Sequence, residues 1–322
     1  MLAEDLKPKV LITDDVHFSL IPALETRNFH VDYLPDISLQ ETIERIHYYT
    51  GLIINSKINV DQELLDKATH LKWIARLGSG MEIIDLPLTQ LKGIKVFNTP
   101  EANCNSVAEH ALGMLLALLR NLPRADKEIR EMQWFREKNR GEELRGKTLG
   151  IIGYGHTGTR FAEMLNGLNV KVLVFDKYKQ LNIFTDRLEV VNDVRQIQEQ
   201  ADIISLHVPL TPETEYLIKA DFIANCKKAF ILINTSRGKV VNTHDLLLGL
   251  KEGKVRGACL DVFENEKPDS FSVEEKTMYG ELYLMHNVVL SPHIAGWTHE
   301  SKKAIADILL QKLDYINSKL EM

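Results

Sequence analysis

Residues 147–176 read KTLGIIGYGHTGTRFAEMLNGLNVKVLVFD, and this stretch decides the fold. Leu149, Ile151 and Ile152 mark an apolar strand that runs into Gly153, Gly155 and Gly158; a helical pattern follows, then a second apolar strand closed by Asp176. Each part answers a requirement of dinucleotide binding. Gly153 permits the tight turn, Gly155 lets a pyrophosphate approach the backbone, Gly158 lets the helix pack against the strand, and the helix N-terminus offers N–H groups to phosphate. Asp176, about 20 residues on, is placed to accept hydrogen bonds from both ribose hydroxyls, which argues for NAD over NADP. Lys177 beside it works against that preference, yet a carboxylate there still repels a 2′-phosphate. A glycine triplet alone is a weak signal; strand, helix, second strand and terminal acid together make a strong one.

Composition narrows the function classes. The chain has 322 residues, 44% of them hydrophobic, and a mean hydropathy of −0.15, which is enough for two domains with cores of their own. A net charge of −6 and a pI near 6.0 supply no basic face for nucleic acid or anionic membrane, so neither is expected as a partner. The three cysteines, Cys104, Cys226 and Cys259, are odd in number and widely spaced. They read as core thiols of a protein in a reducing cytoplasm. The N-terminal MLAEDLKPKV is charged where a signal peptide needs an apolar core, and the longest apolar run, 111–119, is too short to span a bilayer.

Strand patterns precede the glycine loop at 9–13, 51–56, 71–79 and 94–100, separated by polar periodic segments, and predict a small α/β domain. After the loop come KVLVFD, IISLHV (203–208), FILINTS (230–236), GACLDVF (257–263) and VVLSPH (288–293). Continuous apolar strands between helices mean a parallel sheet buried on both faces. A helical pattern at 105–119 bridges the two regions, and a final helix from about His299 is expected to pack back on the first domain. The charged stretch at 123–145 reads either as a solvated helix and loop or as a dimerisation arm; Trp134 and Phe135 tilt it toward the arm.

In an open parallel sheet ligands bind beyond the carboxyl ends of the strands. The residues there are Arg237 after FILINTS, Asp261, Glu264 and Glu266 along and after GACLDVF, and His293 after VVLSPH, with Ala295 and Gly296 behind it. A 2-hydroxy acid carries a carboxylate beside its reacting carbon, and the Arg237 guanidinium is fitted to hold it and to polarise the developing carbonyl. His293 is the candidate base for the hydroxyl proton. A carboxylate on its other ring nitrogen would fix the tautomer and favour the imidazolium needed in the reductive direction. Glu266 is the better candidate for that duty and Glu264 the fallback, while Asp261 is placed to bond the nicotinamide carboxamide. An arginine, a carboxylate and a histidine at one edge of a dinucleotide sheet can run proton-coupled hydride transfer.

These residues resemble the D-isomer-specific 2-hydroxyacid dehydrogenases, especially the phosphoglycerate dehydrogenase and hydroxypyruvate/glyoxylate reductase branches. The likeness runs through ARLGSGMEIIDL (75–86), NTPEANCNSVAEHALGMLLALLR (98–120), GKTLGIIGYGHTG (146–158), HVPLTPETEYLI (207–218), NTSRGKVVN (234–242), GACLDVFENEKP (257–268) and SPHIAGWT (291–298). It implies two Rossmann-like α/β domains: a dinucleotide-binding parallel-sheet domain at 102–296, inserted in a smaller flavodoxin-like substrate domain of residues 1–101 and 297–322. It implies a catalytic trio of Arg237, Glu266 and His293. Cofactor contacts are expected at Gly153, Gly155, His156, Thr157, Gly158, Asp176, Val208, Pro209, Thr235, Asp261, His293, Ala295 and Gly296. A loop of Leu77, Gly78, Ser79 and Gly80 would grip the substrate carboxylate through backbone N–H groups, with Arg76 and Asn103 also at the substrate. A homodimer built on the segment around Trp134 is implied, as is closure of the two domains with hinges at 98–103 and 295–297.

The pattern is broken in places. Lys267 intervenes between Glu266 and Pro268, and Asn55, Ser56 and Lys57 stand where phosphoglycerate enzymes commonly have an arginine before serine. A substrate phosphate would then have Arg76 and Lys57. The chain ends at Met322, so no regulatory domain for serine feedback is expected. His110, His156 and His207 fit no zinc spacing, and no metal is expected. Trp73 reads as core, and Trp297 as pocket lining or hinge packing. The competing readings are an NAD-sensing interaction protein of the co-repressor type on the same fold, and formate or phosphite oxidation; Glu266 counts against formate chemistry, whose enzymes typically carry glutamine there.

Overall fold

The computed structural model describes residues 7–181 and 185–320, with side chains through 316; the first residues of the charged N-terminal stretch lie outside them. The chain divides into two compact units, Met1–Asn103 with Trp297–Met322, and Cys104–Gly296.

The first unit is a five-stranded parallel sheet. Its strands are β1 (Lys9–Ile12), β2 (His30–Tyr33), β3 (Gly51–Ile54), β4 (Trp73–Arg76) and β5 (Lys95–Asn98), in the order β2-β1-β3-β4-β5, which is the flavodoxin-like order. Successive side chains of a strand point to opposite faces, so each strand feeds two cores. Leu11, Leu52, Ile54 and Ile74 pack with Ile43, Leu64 and Leu65 of helices α2 (Leu39–Arg45) and α3 (Gln62–Lys67). Val10, Ile12, Ile53, Trp73 and Ala75 pack with Leu20 and Leu24 of α1 (Leu20–Thr26), and with Ala306, Leu309 and Leu313 of the C-terminal helix, α12 (His299–Leu320). Helix α4 (Leu86–Leu91) leads into β5. Trp73 is 4% exposed and stands between the rings of Phe29 and Phe97.

The second unit holds seven parallel strands. They are β6 (Thr148–Ile152), β7 (Lys171–Phe175), β8 (Leu188–Val190), β9 (Ile203–Leu206), β10 (Phe230–Asn234), β11 (Val255–Leu260) and β12 (Val288–Leu290), ordered β12-β11-β10-β9-β6-β7-β8. The chain starts in the middle, winds outward to β8 and then crosses to β9, so the order reverses between β6 and β9. In doubly wound sheets that is where a crevice opens for a ligand. Helices α5 (Cys104–Leu119) and α7 (His156–Leu165) cover one face. On the other face lie α8 (Val194–Gln200), α9 (Ala220–Asn225), α10 (Thr243–Lys251) and α11 (Val273–Tyr283).

Three details differ from the sequence reading. Two edge strands, β2 and β8, each paired on one side only, carry no continuous apolar run and escape the sequence pattern. The bridging helix ends at Leu119, just before the NLP sequence, and a second helix follows at once: Asn121 adopts φ 53° and Pro123 sits in the first turn of α6 (Leu122–Arg130), where its missing N–H costs nothing. After α6 the chain becomes a loop with Met132, Trp134 and Phe135 exposed. Finally, Cys226 and Cys259 are buried but Cys104, at the start of α5, is only half-buried; burial pushes the Cys226 thiol up to about 11, against a smaller opposing effect of Lys254. Among the described residues, no helix is long and apolar enough to cross a membrane.

Candidate active site

The glycine loop follows β6, and its three glycines are in three different situations. Gly153 has φ +94°, and a Cβ there would stand 2.4 Å from the carbonyl oxygen of His207. A Cβ on Gly158 would stand 2.1 Å from the carbonyl oxygen of Gly153, so only glycine lets α7 lie this close to the strand. Beyond Gly155 there is open space, with the start of α7 and its His156 and Thr157 directly behind. Across the reversal point, Val208 and Pro209 follow β9. Thr235 follows β10, and its Oγ1 is buried with no hydrogen-bond partner. An orphaned hydroxyl and an open glycine cradle beside a helix N-terminus fit a dinucleotide.

Asp176 directly follows β7 and is half-buried. Its Oδ2 accepts from Tyr154 N at 2.7 Å, and its Oδ1 accepts from Tyr178 N and Lys179 N, both at 3.0 Å. Three of a carboxylate's roughly four acceptor sites are thus engaged, and the acid ties the glycine loop to the turn after β7. Lys177 is drawn to Glu213 at 2.7 Å, and Tyr178 Oη also donates to that carboxylate.

The three residues assigned to proton and substrate chemistry lie after β10, β11 and β12. Nδ1 of His293 meets both oxygens of Glu266, at 2.8 and 3.1 Å. Burial raises the Glu266 carboxyl, but the His293 hydrogen bond and charge, the N–H of Phe263 and the Arg237 charge together leave it below the ordinary glutamate value. Arg237 donates from Nη1 to the carbonyl of Ser236 at 2.7 Å. Glu264, the alternative partner, is turned elsewhere: its oxygens accept from Tyr216 Oη at 2.7 Å and Thr243 N at 2.6 Å. The inserted Lys267 is absorbed locally, since its N–H donates to Asn265 Oδ1 at 3.0 Å and Pro268–Ser270 forms a 3₁₀ turn.

His293 has φ +57°, a left-handed conformation that a residue with a Cβ adopts only under constraint. The constraint is Asp261, 1% exposed. Its carbonyl accepts from His293 N at 2.7 Å, and its carboxylate accepts from Ile294 N and Ala295 N, both at 2.9 Å, and from Ser291 Oγ at 2.6 Å. Asp261 therefore already shapes the 293–295 backbone, whatever it offers a carboxamide. Sequence reading missed this duty, and no local signal in SPHIAG points to it.

In the first unit, the loop after β4 is partly committed internally. Leu77 N donates to the Ile54 carbonyl at 2.8 Å and Gly78 N to Thr99 Oγ1 at 3.0 Å. Two of the four N–H groups expected to grip a substrate carboxylate are thus engaged within the first unit itself, and Gly78 has φ +127°. Asn98 Nδ2 donates to the Ser79 carbonyl at 2.6 Å, and Ser79 Oγ to Asn103 Oδ1 at 3.2 Å. Arg76 Nη1 donates to the Leu77 carbonyl at 2.8 Å. Lys57 Nζ donates to the Pro35 carbonyl at 2.6 Å.

Strand order, glycine cradle and terminal acid define a dinucleotide-binding α/β protein. The chain belongs to the D-isomer specific 2-hydroxyacid dehydrogenase family, whose NAD binding domain matches residues 112–295; the second unit is accordingly an NAD-binding domain. The chain is 35% identical over 306 residues to the D-3-phosphoglycerate dehydrogenase of Methanocaldococcus jannaschii, covering 95% of this chain and 56% of that protein. It is 33% identical over 318 residues to the glyoxylate reductase of Pyrococcus furiosus, covering 96% and 92%. It thus spans little more than half the length of the phosphoglycerate dehydrogenase and nearly all of the glyoxylate reductase. Among solved structures, the D-lactate dehydrogenase of Aquifex aeolicus, complexed with NAD and lactic acid, is similar with a TM-score of 0.82 and 28% identity, covering 97% of this chain and 96% of that one.

Proposed function

We propose that this chain is an NAD-dependent dehydrogenase interconverting a small D-2-hydroxy acid and its 2-keto acid, of the hydroxypyruvate, glyoxylate or 3-phosphoglycerate type. The observation that carries the reading is the Glu266–His293 pair with Arg237 beside it, three groups delivered by three adjacent strand ends of an NAD-binding sheet. The names of the relatives, phosphoglycerate dehydrogenase and glyoxylate reductase, point to the same substrate class.

When bound, NADH supplies the hydride for the carbonyl carbon. His293, with Nδ1 held by Glu266, presents Nε2 and gives its proton to the carbonyl oxygen as charge develops there. In the oxidative direction the same nitrogen takes the hydroxyl proton. Arg237 holds the substrate carboxylate with its planar fork, and Ser79 and Gly80 offer backbone N–H groups to it. His156, Thr157, Val208, Pro209 and Thr235 serve the cofactor with the glycine loop, and Asp176 its adenosine ribose. Residues 102–296 form the cofactor domain in this reading, and residues 1–101 with 297–322 the substrate domain. A homodimer formed through the arm that exposes Met132 and Trp134, and a cytoplasmic location suited to free thiols, complete it.

The test is NADH oxidation by the purified chain against hydroxypyruvate, glyoxylate, pyruvate, 2-oxoglutarate and 3-phosphohydroxypyruvate, with His293→Ala beside it. A strong, His293-dependent rate with one of them is the expected outcome and names the substrate class. Silence against all of them despite tight NADH binding would overturn the reading.

A further inference from the structure

We propose that His110 is a positioning residue for His293: acting through Ser291 and Asp261, it holds the backbone on which the acid–base histidine is mounted. His110 lies on α5, distant in sequence from the other three. Its Nε2 stands 2.8 Å from Ser291 Oγ and 3.6 Å from Asp261 Oδ1. Ser291 Oγ has one hydrogen, and its strongest acceptor is Asp261 Oδ1 at 2.6 Å; Met114 Sδ, at 3.7 Å, is a far weaker one. With that hydrogen spent on the carboxylate, Ser291 Oγ accepts from His110, which therefore carries a hydrogen on Nε2.

The relay ends on a buried anion. Asp261 is 1% exposed, and a buried carboxylate persists only when hydrogen-bonded and compensated in charge. Its hydrogen bonds come from Ser291, Ile294 N and Ala295 N. For the charge, the groups around α5 are mostly occupied: Arg160 of α7 bonds Glu163 and Asn105, Arg256 of β11 bonds Glu142, and Arg130 of α6 bonds Asp126. The ring within 4 Å of the Asp261 carboxylate is that of His110, at 3.6 Å, which compensates it in charge when protonated. Held in place, that carboxylate keeps Ile294 N and Ala295 N aligned and so maintains the left-handed φ of His293.

This inference rests on the role proposed above for His293, and its test has a readout that needs no turnover. In the full-length chain labelled at histidine Cε1, the His293 resonance and its titration midpoint are followed by NMR in wild type, His110→Gln, His110→Phe and Ser291→Ala, alongside kcat and KM across pH. In His110→Phe, a displaced His293 resonance and titration midpoint are expected, with kcat lower on the order of tenfold to a hundredfold and KM little changed. Ser291→Ala should match it, and the double variant should be no worse than either alone, since all act through one relay. Glutamine, which can still donate to Ser291, should restore the resonance and most of kcat. A His293 resonance and titration unchanged in His110→Phe and in Ser291→Ala, whether or not the melting temperature falls, would overturn the proposal. If wild type turns over no 2-keto acid, the function reading fails, and the resonance still decides the relay.

Discussion

Glu266 grips Nδ1 of His293 with both carboxylate oxygens, at 2.8 and 3.1 Å. Nδ1 is thereby the hydrogen-bearing nitrogen toward the protein, and Nε2 is the nitrogen left for the acid–base role proposed for this ring. The tautomer that acid–base work requires is set by a neighbour rather than by the ring itself.

Replacing Glu266 with Gln should therefore change the pH profile more than the binding of substrate. The Glu266 carboxyl is held below its ordinary value, so the pair is intact above the usual glutamate pKa and is lost only as pH falls through the depressed one. In Glu266→Gln the imidazolium loses its counter-charge, and the alkaline limb of reductive turnover should move to lower pH. Rates of NADH oxidation across pH test this; an unmoved limb would remove Glu266 from its role.

Arg237→Lys should lower turnover on the order of a hundredfold, because a point charge does not reproduce the planar fork that holds a carboxylate while polarising the carbonyl beside it. Steady-state kinetics with the best substrate measure it. Near-normal kcat in the lysine variant would show that the carboxylate is held elsewhere.

Asp176→Ala should reduce the preference for NADH over NADPH on the order of tenfold. It should also loosen the glycine loop, since the carboxylate bonds Tyr154 N as well as Tyr178 N and Lys179 N. The ratio of kcat/KM for the two cofactors reads the first effect, and hydrogen exchange at the Tyr154 amide reads the second. An unchanged ratio would place the ribose partner elsewhere.

His207 links stability to pH. Enclosure pulls its imidazole from 6.5 down to about 4, and the ring packs on Phe161 with Nε2 at 2.9 Å from Ser205 Oγ. Between those two values the unfolded chain takes a proton that the folded chain refuses, so stability falls as pH drops through that window and levels off below it. Urea unfolding across pH should show a smaller loss in His207→Gln than in wild type. Parallel curves would mean that the ring titrates alike in both states.

Legibility followed the range of the interactions involved. The turn at Gly153–Gly155 and the close approach at Gly158 are settled within a dozen residues, and the sequence names each of them. The chain itself favours Glu266 over Glu264 as the partner of His293, but what Glu264 does instead, accepting from Tyr216 and Thr243, is visible only in the fold. Likewise, Gly78 could be placed in a loop from its sequence, but Thr99 is what takes its N–H.

By itself, the sequence determined two parallel α/β sheets, a dinucleotide loop and a short set of strand-end residues, because apolar periodicity, glycine and a terminal acid are local properties. Only the tertiary structure decided the strand orders, the edge strands β2 and β8, and the buried Asp261 that bends the backbone beneath His293. Those depend on which distant segments become neighbours, and pairing across tens or hundreds of residues leaves no periodic trace in either partner.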